Sequence, residues 1–168
     1  MKTRRRLWLT AAPAAALGGL ALASRGAAAQ ANEATPKVVW HVDFSEPRRF
    51  SAMIQNVNNM VVTYQNELVD YDVRIVFLAG GIRFVTEDAL ANTPFAEDEA
   101  FRSARQTLLQ RLLQLRDLHK VKLEYCEITI EALGLPKQRV VPGVVVVRSG
   151  VVRVAELQSK GYVYMKVE

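Results

Sequence analysis

The chain alternates short apolar runs with longer stretches in which apolar residues recur at helical spacing. The short runs predict five strands, at residues 37–44, 72–79, 121–126, 143–148 and 161–167. Strands that alternate with helices are typical of a parallel sheet with helices on both faces. We therefore predict an α/β fold, in a three-layer α/β/α arrangement with a mainly parallel five-stranded sheet.

Two long helices are predicted from the periodic stretches. The first begins at Ser45, which we expect to be its cap, because Pro47 then lies in the first turn, where a missing N–H costs nothing. The second spans residues 98–120. Their apolar sides are built from Phe50, Met53, Ile54, Val57, Met60, Val61, Tyr64 and Leu68, and from Phe101, Ala104, Leu108, Leu112, Leu115 and Leu118.

Two shorter helices are expected in the second half of the chain. One follows Cys126 and ends before Pro136, and the other spans residues 151–159. Ser149 and Gly150 are also compatible with a hairpin turn, which would replace that second helix.

This arrangement has a geometric consequence for function. The carboxyl ends of parallel strands lie along one edge of the sheet, where ligands usually bind. Residues that are distant in sequence can therefore meet at this edge, and those at predicted strand ends are Asp43, Gly80, Gly81, Cys126, Arg148 and Ser149.

Residues 1–31 have the features of an export signal. A basic start at residues 2–6 is followed by an apolar stretch at 7–23 and by small residues up to Ala31. The string Thr3-Arg4-Arg5-Arg6-Leu7-Trp8-Leu9 looks like a twin-arginine signal, so we expect export to the periplasm and cleavage after Ala29 or Ala31. A retained membrane anchor is the alternative. The apolar stretch has only 17 residues, which is short for a bilayer span, so we expect no stable membrane insertion after cleavage.

Removal of this signal would change the charge of the protein. Residues 1–31 hold five of the 22 Lys and Arg residues and none of the 17 Asp and Glu residues, so the rest of the chain carries 17 of each. The basic character belongs to the signal and indicates neither a nucleic-acid nor an anionic-lipid partner. After a flexible leader at 32–36, residues 37–168 are enough for one domain with its own core.

Cys126 is the only cysteine of the chain. In an exported protein, a single cysteine is a buried spectator, an intermolecular bridge or a reactive thiol. Its predicted place between a strand end and a helix start favours a thiolate, because the helix dipole and free N–H groups stabilise negative charge. Nearby Glu124, Glu127 and Glu131 oppose ionisation. Strand alternation groups Cys126 with Lys122 and Glu124 on a side that we expect to be partly solvated.

The two histidines have different expected roles. His41 and Asp43 alternate onto the same side of strand one, so the carboxylate is placed to orient or charge the imidazole, although a hydrogen-bonded core histidine is the commoner outcome. His119 closes the long helix, where we expect a surface role. The chain has two histidines, one cysteine and no ligand spacing, so we predict no metal site.

Other polar and glycine positions give weaker signals. Asn56 and Asn59 flank the apolar stripe of the first helix, where their amides either bridge to a neighbouring loop or subunit or face solvent. Gly80 and Gly81 lack the spacing of a dinucleotide or P-loop fingerprint. The sequence also contains no G-x-S-x-G elbow and no C-x-x-C pair, which argues against the usual hydrolase and dithiol oxidoreductase classes.

A series of short motifs runs in order through the chain from Lys37 onward. They are Val39-Trp40-His41-Val42-Asp43, Asn56-Val57-Asn58-Asn59, Ala79-Gly80-Gly81-Ile82, Cys126 with Thr129, Pro142-Gly143-Val144, Ser149-Gly150-Val151, Glu156-Leu157-Gln158 and Gly161-Tyr162-Val163-Tyr164. With these motifs, the chain resembles the DsrE/DsrF-like sulfur-relay family, especially its exported branch. Two positions depart from it, because the exported branch commonly reads Cys-Gly-Asn-Thr and this chain reads Cys126-Glu127-Ile128-Thr129. Glu127 adds bulk and negative charge after the cysteine.

The resemblance implies a protein that assembles into trimers or hexamers and carries sulfur as a persulfide on a cysteine at the position of Cys126. We expect a carrier rather than a turnover enzyme, without a cofactor, that exchanges sulfur with donor and acceptor proteins or small sulfur compounds. The alternative is a non-catalytic oligomeric module that binds a small ligand or a protein, with Cys126 merely packed. The predicted site comprises Cys126 as sulfur acceptor, His41 as a proton or anion contact, and the binding residues Asp43, Asn56, Asn59, Gly80, Gly81, Thr129 and Arg148.

Overall fold

A computed structural model describes residues 35–167 of the chain. All neighbouring strands of its single sheet are parallel, in the order β4-β3-β2-β1-β5. This confirms the predicted α/β fold. The strands are β1 (Lys37–Val42), β2 (Asp72–Phe77), β3 (Lys122–Cys126), β4 (Val145–Val147) and β5 (Val163–Met165), and the α-helices are α1 (Pro47–Asn66), α2 (Glu99–Asp117), α3 (Glu127–Ala132) and α4 (Gly150–Ser159).

The two faces of the sheet are covered very differently. On one face, α1 and α2 pack over the inward side chains of β1, β2 and β3 and form the main core. On the other face, a smaller cluster contains Val39, Val76, Val154, Leu157 and Tyr162, and α4 supplies its helical members. We call this second side the α4 face. One helix of ten residues, α4, contributes to this smaller cluster.

The ends of the long helices differ from the predictions. Helix α1 begins at Pro47 with Glu46 at the N-cap position, and Ser45 is not the cap. Its backbone N–H instead donates to the Glu46 carboxylate. Leu68 lies beyond the end of α1 and is 93% exposed, and Leu118 is 68% exposed at the end of α2. Both were wrongly predicted to be buried, because apolar periodicity continues past the residue at which the helix ends.

The segment after β2 also differs from the predicted strand. Residues Ala79–Phe84 form a 3₁₀ helix, which the sequence did not predict, and β2 therefore ends at Phe77. The turn brings Gly81 against the end of β1, where a Cβ atom would lie 2.1 Å from the carbonyl oxygen of Val42. Glycine is required here because any side chain would overlap the backbone of β1.

The segment near Ser149 is a helix start and not a hairpin. The Ser149 side chain accepts a hydrogen bond from the backbone N–H of Val152 and caps α4. Its backbone is extended, as is usual for an N-cap residue. The cap sets the direction in which α4 returns across the sheet.

Two features are absent from residues 35–167. No helix in this range is long and apolar enough to cross a membrane. In the same range, no group of three or more His, Cys, Asp or Glu side chains is arranged to hold a metal ion. The predicted signal at residues 1–31 lies outside the described residues.

Candidate functional site

Cys126 lies where the sequence placed it, at the junction of a strand and a helix. It is the last residue of β3, and α3 begins at Glu127. On the neighbouring strand it pairs with Val147. The predicted partial solvation holds for Lys122, which is exposed, but it is wrong for Cys126 and Glu124, which are 5% and 3% exposed. Helix α4 and the start of α3 cover this end of the strand, which strand alternation alone does not show.

The thiol of Cys126 is surrounded by hydrogen-bond donors. Burial disfavours the thiolate, but the Thr129 hydroxyl and the nearby backbone N–H groups of Gly150, Thr129 and Ile128 favour it. Together they lower the pKa of Cys126 below its ordinary value. Since the thiolate is the nucleophilic form of cysteine, a lowered pKa increases the fraction of Cys126 in that form at neutral pH.

The Thr129 hydroxyl is oriented by the backbone of a different element. The N–H of Ala79 donates to Thr129 Oγ1 at 3.2 Å, so the hydroxyl hydrogen is free to point toward the sulfur. Ala79 has a φ of 46°, in the left-handed region that non-glycine residues rarely adopt. Backbone strain of this kind persists where surrounding structure enforces it, and it clusters at functional sites.

Gly150 lets α4 approach the cysteine closely. It is the first residue of α4 and is buried. A Cβ atom at this position would lie 3.2 Å from the Cβ atom of Cys126 and 3.1 Å from Leu78 Cδ2. Because these contacts are tighter than ordinary van der Waals packing, the absent side chain allows the backbone of Gly150 to lie against Cys126.

The acidic side chains near Cys126 are paired with cations. Glu127 forms ion pairs with Lys137 and with Arg148, the latter at 3.2 Å. Hydrogen bonds from Lys137 and Arg148 lower the pKa of Glu127, so it stays ionised, and Arg148 also binds Glu131 at 2.8 Å. Glu124 is held by two further arginines. The predicted opposition of these carboxylates to a thiolate is therefore offset by neighbouring positive charge.

Comparisons with known proteins agree with this architecture. A family model for the DsrE/DsrF-like family matches residues 44–167. The chain belongs to the DsrE/DsrF-like family. A solved protein of unknown function from Methanobacterium thermoautotrophicum shares the fold, with a TM-score of 0.59 and 23% sequence identity over 78% of this chain and 98% of that one. No curated protein matches the chain.

In this DsrE/DsrF-like chain, His41 does not lie beside Cys126. It pairs with Val76 of β2, which pairs in turn with Glu124 of β3. From this register, the Cα atoms of His41 and Cys126 are roughly 11 Å apart, two strands across and two residues along. His41 Nδ1 is instead 2.9 Å from the Tyr164 hydroxyl. Burial lowers the pKa of His41 although the nearby Asp43 charge raises it, so the ring is neutral at neutral pH.

The other predicted binding residues are distributed over several places. Arg148 and Thr129 are close to Cys126, as described above. Asp43 lies just after the end of β1, with Oδ2 3.8 Å from Lys166 Nζ. Asn56 and Asn59 are exposed on α1, which packs on the face opposite to Cys126. Binding roles for these residues stay predictions.

Gly80 and Gly81 are buried against the end of β1, and His119 lies at the surface. The glycines were predicted to bind a ligand, and the close contacts of Gly81 with Val42 and of Gly80 with Phe44 and Ser45 give them a structural role. Any additional role in binding stays a prediction. His119 has the surface position that was predicted, with Nδ1 3.1 Å from Gln65 Oε1.

Sequence reasoning missed three contributors to the site. The backbone N–H groups of Ala79 and Gly150 act through position and carry no side-chain signal. Lys137, which begins a short 3₁₀ helix at Lys137–Arg139, neutralises Glu127 from ten residues along the chain. The one usable signal was the adjacent pair Ser149 and Gly150, which is typical of a capped helix as well as of a turn.

Proposed function

We propose that this DsrE/DsrF-like protein carries sulfane sulfur as a persulfide on Cys126 in the periplasm. The observation that supports this most strongly is the close approach of Gly150 to Cys126, together with Thr129, around a thiol whose pKa is lowered. Membership of the family is consistent with a sulfur-relay role. Glu127 replaces the glycine of the family pattern, and its negative charge would oppose a thiolate at Cys126. The ion pairs of Glu127 with Lys137 and Arg148 offset this charge.

The proposed loading step is a thiolate exchange. The Cys126 thiolate attacks a terminal sulfur of an inorganic polysulfide, HSₙ⁻, so that a new S–S bond forms on Cys126 while the adjacent S–S bond of the polysulfide breaks. The shortened polysulfide leaves with the electron pair and Cys126 becomes a persulfide. In the unloading step, an acceptor thiolate attacks the outer sulfur and displaces the Cys126 thiolate. The two steps need no external oxidant or reductant.

Intact-protein mass spectrometry tests this proposal. After incubation of reduced protein with polysulfide and removal of the excess, we expect a mass increase of one or more sulfur atoms that is reversed by a small thiol. The Cys126→Ser variant should gain none. If the wild-type protein gains no sulfur, or if Cys126→Ser gains as much, the carrier proposal is wrong.

A second candidate function is supported by the burial of the thiol. At 5% exposure, Cys126 resembles a packed cysteine in a binding module, and it is poorly placed to bridge two chains. Titration of the native protein with a thiol reagent separates these functions, since a carrier needs a thiol that reacts without unfolding. If Cys126 reacts only in denaturant, the binding module is favoured. Non-reducing electrophoresis that shows a covalent dimer would instead favour a disulfide between chains.

Periplasmic location rests on the sequence of residues 1–31. We expect protein recovered from the periplasmic fraction of cells that express the full chain to begin at Gln30 or Asn32, after cleavage at Ala29 or Ala31. N-terminal sequencing checks this. Recovery of an intact amino terminus from the membrane fraction would favour the anchor.

Assembly into trimers or hexamers, with donor and acceptor partners, is part of the same proposal. Exposed apolar side chains near Cys126 are compatible with contacts to other chains. They lie on the edge strand β4 and at the starts of α3 and α4, at Val145, Val146, Ile128, Val151 and Val152. The number of subunits stays a prediction.

A further inference from the structure

A buried carboxylate lies two residues before Cys126 on the α4 face. The Glu124 side chain is 4% exposed and binds two arginines from different elements. Arg74 on β2 donates from Nη1 to Oε1 at 2.7 Å. Arg153 on α4 donates from Nε to Oε2 at 2.6 Å and from Nη2 to Oε1 at 2.9 Å. The Arg153 contact is bidentate, the geometry that fixes position as well as energy.

These contacts tie the start of α4 to the strand that carries the thiol. Arg153 lies three residues after Gly150, about one helical turn, so the two residues are on the same side of α4. Glu124 and Cys126 are two residues apart, so they lie on the same side of β3. Helix α4 and strand β3 therefore meet at two neighbouring places. Gly150 lies against Cys126 at the sheet edge, and Arg153 binds Glu124 further from that edge.

We propose that Glu124 and Arg153 are positioning residues, which hold the N-terminus of α4 over Cys126 so that the Gly150 N–H stays against the sulfur. This inference rests on the proposed function, because sulfur carriage by Cys126 is the activity that the placement of α4 would serve. Neither residue touches the reacting sulfur, and both act through the placement of α4. The ion pair between Glu124 and Arg153 is important for the placement of α4, because the helix contributes only two side chains, Val154 and Leu157, to the apolar cluster beneath it.

The charge of Glu124 makes the proposal distinguishable from a direct electrostatic effect. Replacing this carboxylate by a neutral amide removes a negative charge near Cys126, which by itself favours the thiolate and lowers the thiol pKa. Loss of the tether withdraws the Gly150 N–H and has the opposite effect. The sign of the change in Glu124→Gln therefore reports which mechanism operates.

The experiment is the pH profile of Cys126 alkylation by iodoacetamide in the folded protein. For Glu124→Gln, we expect the midpoint to rise by about half a unit and the rate at neutral pH to fall about threefold. A midpoint that is unchanged or lower overturns the proposal. Circular dichroism of the same samples establishes that each variant is folded.

Two conservative variants keep the test informative if Glu124→Gln does not fold. Arg153→Lys and Arg74→Lys each keep the charge and remove the guanidinium fork from Glu124. Only Arg153 lies on α4, so Arg153→Lys should slow alkylation about twofold, the effect of a rise of roughly 0.3 unit, while Arg74→Lys leaves the midpoint unchanged. Equal shifts in both variants, or none in Arg153→Lys, contradict the positioning role.

The readout also separates this inference from the carrier proposal. Alkylation measures the state of the thiol without sulfur transfer. If polysulfide fails to load Cys126 while Glu124→Gln still shifts the alkylation profile, the carrier proposal is wrong and the positioning role holds. If loading succeeds and the profile does not shift, the reverse is true.

Discussion

Gly81→Ala is expected to destabilise the domain strongly. A Cβ atom at position 81 would lie 2.1 Å from the Val42 carbonyl oxygen and 2.9 Å from the Val42 carbonyl carbon and Cγ1. Val42, at the end of β1, is inaccessible to solvent, and Gly81 in the 3₁₀ helix is buried. Neither segment can therefore move aside without loss of packing. We expect the free energy of unfolding to fall by about 3 kcal/mol or more, a large part of the total for a domain of this size.

Urea denaturation followed by circular dichroism measures this loss. Gly134→Ala is a suitable control, because Gly134 has a φ of 64° and no atom lies within 4 Å of the place that an added methyl group would take. That substitution should cost only the left-handed backbone penalty, about 1 kcal/mol. If the two variants unfold at the same urea concentration, the close contact between Gly81 and β1 does not determine stability.

Thr129→Val is expected to make Cys126 markedly less reactive. Valine keeps the shape of threonine but removes the hydroxyl that favours the thiolate, and it leaves the Ala79 N–H without its acceptor. Since the thiol pKa is now lowered by that hydroxyl, its removal should raise the pKa. A rise of about half a unit to one unit slows thiolate reactions at neutral pH by roughly three- to tenfold.

Alkylation rates measured between about pH 6 and 10 check this expectation, because this pH interval brackets the ordinary pKa of a thiol. The difference between Thr129→Val and wild type should be largest below the wild-type pKa and should vanish at high pH, where both thiols are ionised. Thr129→Ser keeps the hydroxyl and should retain most of the wild-type profile. An unchanged profile in Thr129→Val, or an equal shift in Thr129→Ser, would show that the hydroxyl does not stabilise the sulfur.

The location of Cys126 was predictable from the sequence, and its environment was not. The apolar run before it and the glycine and proline after the next helix define a strand and a helix with Cys126 between them. The groups around its sulfur come from residues 128, 129 and 150, and the N–H that orients the Thr129 hydroxyl comes from Ala79, 50 positions earlier in the chain. Contacts over such separations depend on how elements pack, which local patterns do not encode.

The acidic residues near Cys126 show the same limit. From sequence, Glu124, Glu127 and Glu131 indicate a negative environment that opposes a thiolate. In the folded protein, their charges are paired with Arg74, Arg153, Lys137 and Arg148, which come from other segments of the chain. Sequence proximity identified these negative charges but not their positive partners, because the partners lie on other segments that are remote in the chain.

By itself, the sequence determined the α/β class and the position of the thiol at the junction of β3 and α3, because hydrophobic periodicity and helix signals act over a few residues. Tertiary structure alone decided that His41 lies apart from Cys126, that the thiol is buried, and that Gly150 and Thr129 meet at its sulfur. Strand order and helix placement set these distances, and they result from packing of the whole domain.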